Sequence, residues 1–448
     1  MTIATAQTII SEEEALSIIE SVIKQSAAEG VFVSISAGEE NISRFSENQI
    51  SQNVSKKQLR LTVTSNFGNR QASASTTEIN AEAIAETVRR SEELARIAPE
   101  DPEWMPLLEP QNYEQRKPGF DAATATLSPL VRGEIVKKVC DRSAKAGVKG
   151  CGTFSTEISL QAIGNSLGLR ASERTTKADF SFTARLEDGS SWDHRTAIST
   201  EELPIEEITE QQIEKALASR HPREISPGTY PVILSGAAFA ELLSWVVWNL
   251  DARAADEGRS FMSRIDATGS PVGNRLGEQM FSPLVQLQRY PAHPLLQSST
   301  FFSDGLSNYY LEIIKNGIPQ TLYYSRYWGK NKGFAPTGIL SPIVMIGSDK
   351  NLSQLIAETE RAILISRAWY VRYVNPRTLE VTGMTRDGTF WIEDGAIAFP
   401  IKNLRFNQVL PDMLRDIDAL GTPQRFGNNV VPEVRVRAFN FTSLTDSI

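Results

Sequence analysis

One apolar stretch restricts the fold of this chain more than any other feature of its sequence. Val232–Leu250 is almost entirely apolar or small, and within Gly236–Leu250 the only ionisable side chain is Glu241. The stretch has transmembrane length, but a membrane-spanning helix needs about 20 apolar residues with almost no charge. We therefore predict a short strand, Tyr230–Leu234, followed by a helix that reaches about Asp251 and is buried in a globular core.

The N-terminal hundred residues combine helix and strand patterns. Ser11–Glu14 is a capping box, in which a serine and a glutamate three residues later cap the start of a helix. Apolar residues alternate over 31–35 and 59–63, as they do in half-buried strands, and a second helix is predicted from Ala81 to Ala98. The pattern predicts an α+β domain, 1–100, with helices on one face of an antiparallel sheet. Five prolines between Pro99 and Pro118 disfavour regular structure, so 101–120 is predicted to be a proline-rich linker.

Two further domains are predicted beyond this linker. Ser128-Pro129 begins a helix, strands follow it, and a polar helix near 205–219 ends a middle α+β domain, 121–225. The C-terminal domain, 226–448, is expected to be mostly β around the buried helix. There we predict a mobile loop over 254–275, a helix from about Leu352 to Arg367, and a hairpin that turns at Asp394-Gly395.

Composition excludes several classes of function. The 448 residues include 46 basic and 54 acidic side chains, a formal net charge of −8. Nucleic-acid surfaces are usually net basic, so direct nucleic-acid binding is not predicted. Two cysteines exclude a disulfide framework and indicate a reducing compartment. Met1–Gln7 lacks the basic residues that open a signal peptide, so we expect a cytoplasmic protein without membrane contact.

The side chains best suited to metal binding are scattered along the chain. His194, His221 and His293 have no pairwise spacing that places two imidazoles on one ion. Cys140 and Cys151 form no Cys-x-x-Cys pair, and Cys140 falls on the buried face of a predicted helix. From the residues alone we predict neither a metal nor a cofactor.

Two other groups of residues allow two interpretations each. Asp251, Asp256 and Glu257 either bind a cation or a peptide amine, or form a solvated helix end. The aromatic and basic side chains of Trp369–Tyr373 either stack on nucleobases or belong to a half-buried strand. The chain contains neither a Gly-x-Ser-x-Gly nucleophile turn nor a phosphate-binding Gly-x-x-x-x-Gly-Lys-Ser/Thr loop.

Several short sequence elements occur in a defined order along the chain. They are Ser43–Ile50, Ala72–Thr76, Leu276–Glu278, Phe281-Ser282, Phe302–Gly305, Pro336–Gly338, Trp391–Gly395 and Pro400–Asn407. No single element is decisive, but their order and spacing argue against chance. Together they resemble the TldD/PmbA family, also called the modulator-of-DNA-gyrase family.

This resemblance implies a cytosolic, metallopeptidase-like protein that acts on peptides. In the family, TldD-type chains carry His-Glu-x-x-x-His on a helix and a later cysteine, which hold a metal that we expect to be zinc. PmbA-type chains, also called TldE, lack these ligands and pair with a TldD-type chain. Such a pair resembles a peptidase that trims unfolded or precursor peptides held as an extended strand in a cleft.

This chain departs from the metal-binding pattern at every position. On the apolar helix, Ser244 and Asn249 stand where the histidines would be, and Trp245 stands where the glutamate would be. Gly421–Phe426 has no thiol where the cysteine is expected. The resemblance therefore implies a PmbA-type pseudoenzyme without metal or cofactor. It would take part in proteolysis as a homodimer or as the partner of a TldD-type subunit, and would contact a peptide or unfolded protein.

Other functions remain open at this point, including whether the chain is itself an enzyme. It is either an independently active peptidase that uses residues such as Asp256, Glu257 or Cys151, or a non-enzymatic protein-binding module. Tyr324–Gly338 either borders the peptide cleft or is an ordinary surface loop.

Overall fold

A computed structural model describes residues 10–116 and 119–445. Met1–Gln7, considered above for a signal peptide, and Pro118 of the predicted linker lie outside these residues. No helix in the described ranges is both long enough and apolar enough to cross a membrane.

The first half of the chain consists of helices and mostly long strands, whereas many strands of the second half are short. The helices are α1 Glu12–Gln25, α2 Ala81–Ile97, α3 Ala122–Ala125, α4 Pro129–Lys145, α5 Ile205–Ala218, α6 Gly236–Trp248, α7 Ala252–Asp256, α8 Arg326–Lys332, α9 Leu352–Ala357 and α10 Leu410–Arg415, with a 3-10 turn at Thr200–Glu202. The strands up to residue 274 are β1 Gly30–Ser46, β2 Gln49–Phe67, β3 Arg70–Thr76, β4 Lys149–Asn165, β5 Arg170–Arg185, β6 Ser190–Ala197, β7 Gly228–Leu234, β8 Ser263–Ile265 and β9 Pro271–Asn274. The remaining strands are β10 Leu287–Arg289, β11 Leu311–Lys315, β12 Ile318–Pro319, β13 Ile343–Met345, β14 Arg361–Asn375, β15 Glu380–Glu393, β16 Ala396–Pro400, β17 Leu404–Val409, β18 Ile417–Leu420, β19 Gln424–Phe426, β20 Asn429–Val431 and β21 Val434–Leu444.

Strands β1 to β6 form one antiparallel sheet in the order β3-β2-β1-β4-β5-β6. Strand β1 lies at its centre, where Val33 pairs with Val63 of β2 and with Gly164 of β4. The sheet therefore joins strands from the predicted 1–100 and 121–225 segments. The division into domains 1–100, 121–225 and 226–448 remains a prediction.

Helices cover this sheet at both ends of its long strands. Helices α1 and α2 bury Ile19 and Val88 against the β1–β2 end. Helices α4 and α5 bury a second cluster that includes Cys140 and the phenylalanines of β4 and β5, Phe154, Phe180 and Phe182. The predicted arrangement of helices against an antiparallel sheet is confirmed, and Cys140 lies in the core as predicted.

The C-terminal segment contains a closed ring of strands. Strands β14, β7, β21, β17 and β15 are hydrogen-bonded in that order, and β14 also pairs with β15, so the ring closes as in a small barrel. A second sheet has the order β12-β11-β10-β13-β20-β19. The largest hydrophobic core of the described residues lies around α6, between these β elements. The predicted α+β class with a β-rich C-terminal part and a buried helix is confirmed.

Three local predictions in this segment have different outcomes. The hairpin at Asp394-Gly395 is confirmed, since both residues have positive φ and β15 pairs with β16 around them. The predicted mobile loop over 254–275 is wrong, because it contains the end of α7 and the β8–β9 ribbon. The predicted helix over 352–367 is also wrong: α9 ends at Ala357, and β14 begins at Arg361 between two pairing strands.

An ion pair between β14 and β15 of the barrel is contacted by the six-stranded sheet. Arg367 of β14 donates through Nη1 to Oδ2 of Asp387 at 2.7 Å, and Ser190 of β6 donates to the other carboxylate oxygen at 3.1 Å. The guanidinium also lies between the rings of Trp192 and Trp369, at 3.9 and 4.2 Å from their centroids. Asp387 is 2% exposed, so both partners depend on each other for solvation.

We predict that Asp387→Asn lowers the free energy of unfolding by about 3 kcal/mol, because it leaves the Arg367 charge buried without its partner. Asparagine tolerates the left-handed φ of 56° at this position, so the effect reports the lost charge rather than backbone strain. Chemical denaturation followed by circular dichroism measures the change. The matched control is Lys137→Gln in an exposed ion pair with Asp141, which should change stability by under about 1 kcal/mol. Equal stabilities of the two variants would contradict the role of Asp387.

Candidate functional site

Helix α6 lies at the centre of the candidate site because its sequence favours burial. Ser235 caps it, accepting a hydrogen bond from Ala238 N at 3.2 Å and donating to the carbonyl of Ser366 at 2.7 Å. Eight of its 13 residues are buried. Glu241 is exposed, and the C-terminal turn from Ser244 to Asn249 presents further polar groups and the exposed indole of Trp248 toward the surface.

The three motif positions named from the sequence all lie on this last turn. Ser244 Oγ donates to the Ala240 carbonyl at 2.7 Å and accepts from Asn429 Nδ2 at 3.5 Å. Asn249 Nδ2 donates to the Trp245 carbonyl at 2.8 Å and to the Tyr373 hydroxyl at 2.9 Å. The half-buried ring of Trp245 packs edge-on against Tyr373, with centroids 4.7 Å apart.

Ser244 and Asn249 open onto a cleft of about 770 Å³. Residues 339–341 form a second wall, which we call the far wall, and Tyr323, Asn428 and Asn429 also line the cleft. Trp248 and Tyr373 form the aromatic part of the rim. The structure thus brings Ser244 and Asn249 to one cleft, while Trp245 lies behind them in packing contact with Tyr373.

A buried arginine fixes the far wall. Arg289 of β10 has no exposed surface and donates through Nη1 to the carbonyls of Thr337 at 2.5 Å and Ile339 at 2.9 Å. Burial lowers the pKa of Arg289 to about 10, so it stays protonated at neutral pH. Gly338 between the two carbonyls has a φ of 66°, and a side chain there would collide with the Phe302 ring. These contacts hold residues 339–341 where they line the cleft.

Tyr324–Gly338 contains helix α8 and connects two parts of the cleft wall. Tyr323, directly before it, and residues 339–341, directly after it, line the cleft. Within the segment, Thr337 Oγ1 accepts from Tyr324 N at 3.0 Å, which holds its two ends together. Burial and the nearby carboxylates of Asp251 and Asp304 raise the pKa of Tyr323, so this phenol is neutral at physiological pH.

The acidic residues after α6 make structural contacts. Asp251 Oδ1 accepts from Ala254 N at 2.6 Å and caps α7. Asp256 accepts from the indole of Trp328 at 2.9 Å and from Asn274 at 2.9 Å. Glu257 pairs with Arg259 and Arg253, which lower its pKa. Only Asp251 of these three lines the cleft.

The histidines lie in separate surroundings. His194 Nε2 is 2.8 Å from Oδ2 of Asp179 on the neighbouring strand, and His221 Nδ1 is 3.1 Å from Asp188. His293 lies in a loop, and burial lowers its pKa. None of the three lines the cleft.

The cysteines also lie away from the cleft. Burial raises the pKa of Cys140 to about 11, and Cys151 Sγ is 3.7 Å from Ser46 Oγ. Across residues 10–116 and 119–445, no three histidine, cysteine, aspartate or glutamate side chains are grouped so that they can hold a metal.

The residues at the motif positions do not fit a zinc centre. A hydrolytic zinc site needs imidazole, carboxylate or thiolate ligands and a base for water. Here the positions offer a hydroxyl, an amide and an indole, and the first two already hydrogen-bond within the chain. We derive no catalytic step through a metal at this site.

The amino-acid sequence matches two domain models of one protein family. Residues 121–220 match the PmbA/TldA metallopeptidase central domain, and residues 227–443 match the PmbA/TldA metallopeptidase C-terminal domain. The chain is 22% identical over 392 residues to metalloprotease PmbA of Escherichia coli O157:H7, covering 82% of this chain and 83% of that protein. It is 25% identical over 292 residues to a metalloprotease PmbA homologue of Haemophilus influenzae, covering 62% and 61%.

Solved structures share the whole fold. TldE from Thermococcus kodakarensis superposes with a TM-score of 0.84 at 17% identity, over 97% of this chain and 100% of that one. A proposed modulator of DNA gyrase from Bacteroides thetaiotaomicron gives a TM-score of 0.84 at 19% identity and the same coverage. At these identities the structural likeness establishes the fold only, but the two domain models together span most of the sequence. The chain belongs to the PmbA/TldD family of metallopeptidase-like proteins.

Proposed function

We propose that this chain is the metal-free subunit of a peptide-processing pair, in which it forms part of the peptide cleft. The chemistry of the α6 C-terminal turn carries the proposal. A TldD-type partner would supply the metal and the water-activating base. The likeness of this chain to a protein named TldE supports its assignment to the PmbA-type half of such a pair.

The contacts of Ser244 and Asn249 support a structural role. The Ser244 hydroxyl is bound to its own helix, and the Asn249 amide closes the helix end and ties it to Tyr373. Both groups are uncharged at neutral pH and therefore weak ligands for zinc. Trp245 contributes packing area against Tyr373 instead of a proton-accepting carboxylate.

The cleft suits an extended peptide. Its volume of about 770 Å³ is within the range of ligand sites. Within the described residues, the amides of Asn428 and Asn429 make only one long hydrogen bond each, at 3.3 and 3.5 Å, so they can also pair with a peptide main chain. Such pairing does not depend on a particular peptide side chain. A main-chain-directed site would accept unfolded or precursor peptides of varied sequence.

The contacts of the alternative catalytic residues do not favour an independent enzyme. Asp256 anchors Trp328, and Glu257 is paired with two arginines. Cys151 lies on the six-stranded sheet, outside the cleft. These contacts thus favour a cleft-forming subunit over an independently active peptidase.

We predict that the purified chain alone binds on the order of 0.1 zinc per molecule or less, because its motif residues are neutral and weak ligands. We also predict that it does not cleave unfolded casein. Elemental analysis and a gel-based cleavage assay measure these outcomes. One tightly bound zinc per chain together with chelator-sensitive cleavage would contradict the proposal. As a positive control, a TldD-type chain from the same cell should contain zinc.

We further predict that Asn428→Trp reduces peptide binding by about tenfold or more, because its exposed side chain lines the cleft and an indole would fill part of it. Calorimetry with an unfolded peptide measures the affinity, on the chain alone and together with its TldD-type partner. Gln211→Trp, on the exposed face of α5, is the matched control and should leave the affinity unchanged. Unchanged affinity in Asn428→Trp would show that peptides bind elsewhere.

A further inference from the structure

We infer that the cleft selects an uncharged, apolar stretch of peptide, and that Trp248 is the contact residue for a bulky apolar side chain. This inference rests on the proposed function, which requires that a peptide occupies the cleft. The substrate class is a stretch of uncharged, apolar residues, and Trp248 sets the preference for a bulky apolar side chain.

The exposure of Trp248 is the first observation. Its indole is 79% exposed, although it ends a helix of which most residues are buried. Its ring packs edge-to-face with Trp245, at a centroid distance of 6.5 Å. Tryptophan offers one of the largest apolar surfaces of any side chain, and here nearly all of it faces the cleft rim or solvent. That area is available to a ligand.

The surroundings of Trp248 are apolar as well. Ile339 on the far wall is 57% exposed, Tyr373 is 44% exposed, and Pro376 adds to the same rim. A bulky apolar side chain between Trp248 and Ile339 would remove surface from water on both walls. Removing apolar surface from water in this way favours binding.

The charges of the cleft are the second observation. Its lining contains one acid and one base, Asp251 and Arg259. Asp251 caps α7, and Arg259 donates through Nε and Nη2 to Glu257 at 3.0 and 2.5 Å. The other polar lining groups are hydroxyls and amides, among them Ser244, Ser341 and Asn429.

An acidic peptide side chain would lose water without gaining an unpaired base, because Arg259 is paired with Glu257. A basic side chain would meet only Asp251, whose Oδ1 already accepts a hydrogen bond from the α7 backbone. The free-energy cost of burying such a charge exceeds the gain from its apolar carbons. The neutral hydroxyls and amides, in contrast, can pair with a peptide main chain. The cleft thus fits a few uncharged residues of an extended chain, as found in the hydrophobic segments of unfolded proteins.

Capped pentapeptides test this inference without interference from terminal charges. The probes are acetyl-Gly-Gly-Phe-Gly-Gly-amide and its versions with Ala, Glu or Lys in place of Phe. Calorimetry measures their affinity for the full chain, alone and with its TldD-type partner. We expect the Phe peptide to bind at least about tenfold more tightly than the other three, because only its ring can cover the indole.

Substitutions at Trp248 test whether this residue sets the preference for the Phe peptide. Trp248→Ala should lower the affinity for the Phe peptide about tenfold, to that for the Ala peptide. Trp248→Tyr should retain the preference for the Phe peptide. Leu130→Ala, at a 72% exposed site on α4, is the matched control and should change nothing. Because the Trp248 ring is largely solvent-exposed, its removal leaves the core intact, and circular dichroism verifies the fold.

Three results would overturn the inference. They are equal binding of the Lys or Glu peptide and the Phe peptide, an unchanged preference in Trp248→Ala, and loss of the preference in Leu130→Ala. Binding of all four peptides with equal affinity would refute the selectivity and leave the proposed peptide cleft standing. Absence of binding by any peptide, with and without the partner, would refute the proposed function and this inference with it.

Discussion

The burial of α6 is the constraint on which the C-terminal half depends. A helix of 13 residues with a single charged side chain must be covered by protein, and the barrel and the second sheet supply that cover. Glu241 is exposed, so the one charge on the helix is solvated. In the last turn Val246 and Val247 remain buried, whereas Ser244, Trp248 and Asn249 reach the surface on the other side. The candidate site lies on the side of this turn that faces away from the core.

The two walls of the cleft are held by different interactions. On the helix side, Asn249 and Tyr373 are hydrogen-bonded to each other, and Trp245 packs against the same tyrosine ring. On the far side, the buried Arg289 holds the backbone of residues 337–339. Its charge is balanced by main-chain carbonyls and aromatic faces rather than by a carboxylate. Both walls are therefore held in place within the chain, which would lower the entropic cost of binding a flexible ligand there.

The sequence predicted those features that depend on local pattern. The buried helix, the capped helices of the first segment and the Asp-Gly hairpin follow from periodicity, caps and turn chemistry, and all are present. The helix predicted over 352–367 failed because its apolar residues pair with β7 and β15, a tertiary effect that a short apolar run does not reveal. Part of the candidate site was predictable, because Ser244, Trp245 and Asn249 occupy the motif positions of the helix sequence. Asn429 was not predictable, because it lies 185 residues from Ser244 and its surrounding sequence carries no motif.

The altered motif is integrated into the packing of the chain. Trp245 stands where a catalytic carboxylate would be required, and its ring rests against Tyr373, which in turn binds Asn249. A glutamate at 245 would place a carboxylate against an aromatic face and would remove the packing area of an indole. Histidine at 249 would lose the paired amide contacts that close the helix. Restoring metal ligands would thus disrupt three mutually supporting contacts at once. The present residues form a consistent set of mutual contacts that shapes the cleft.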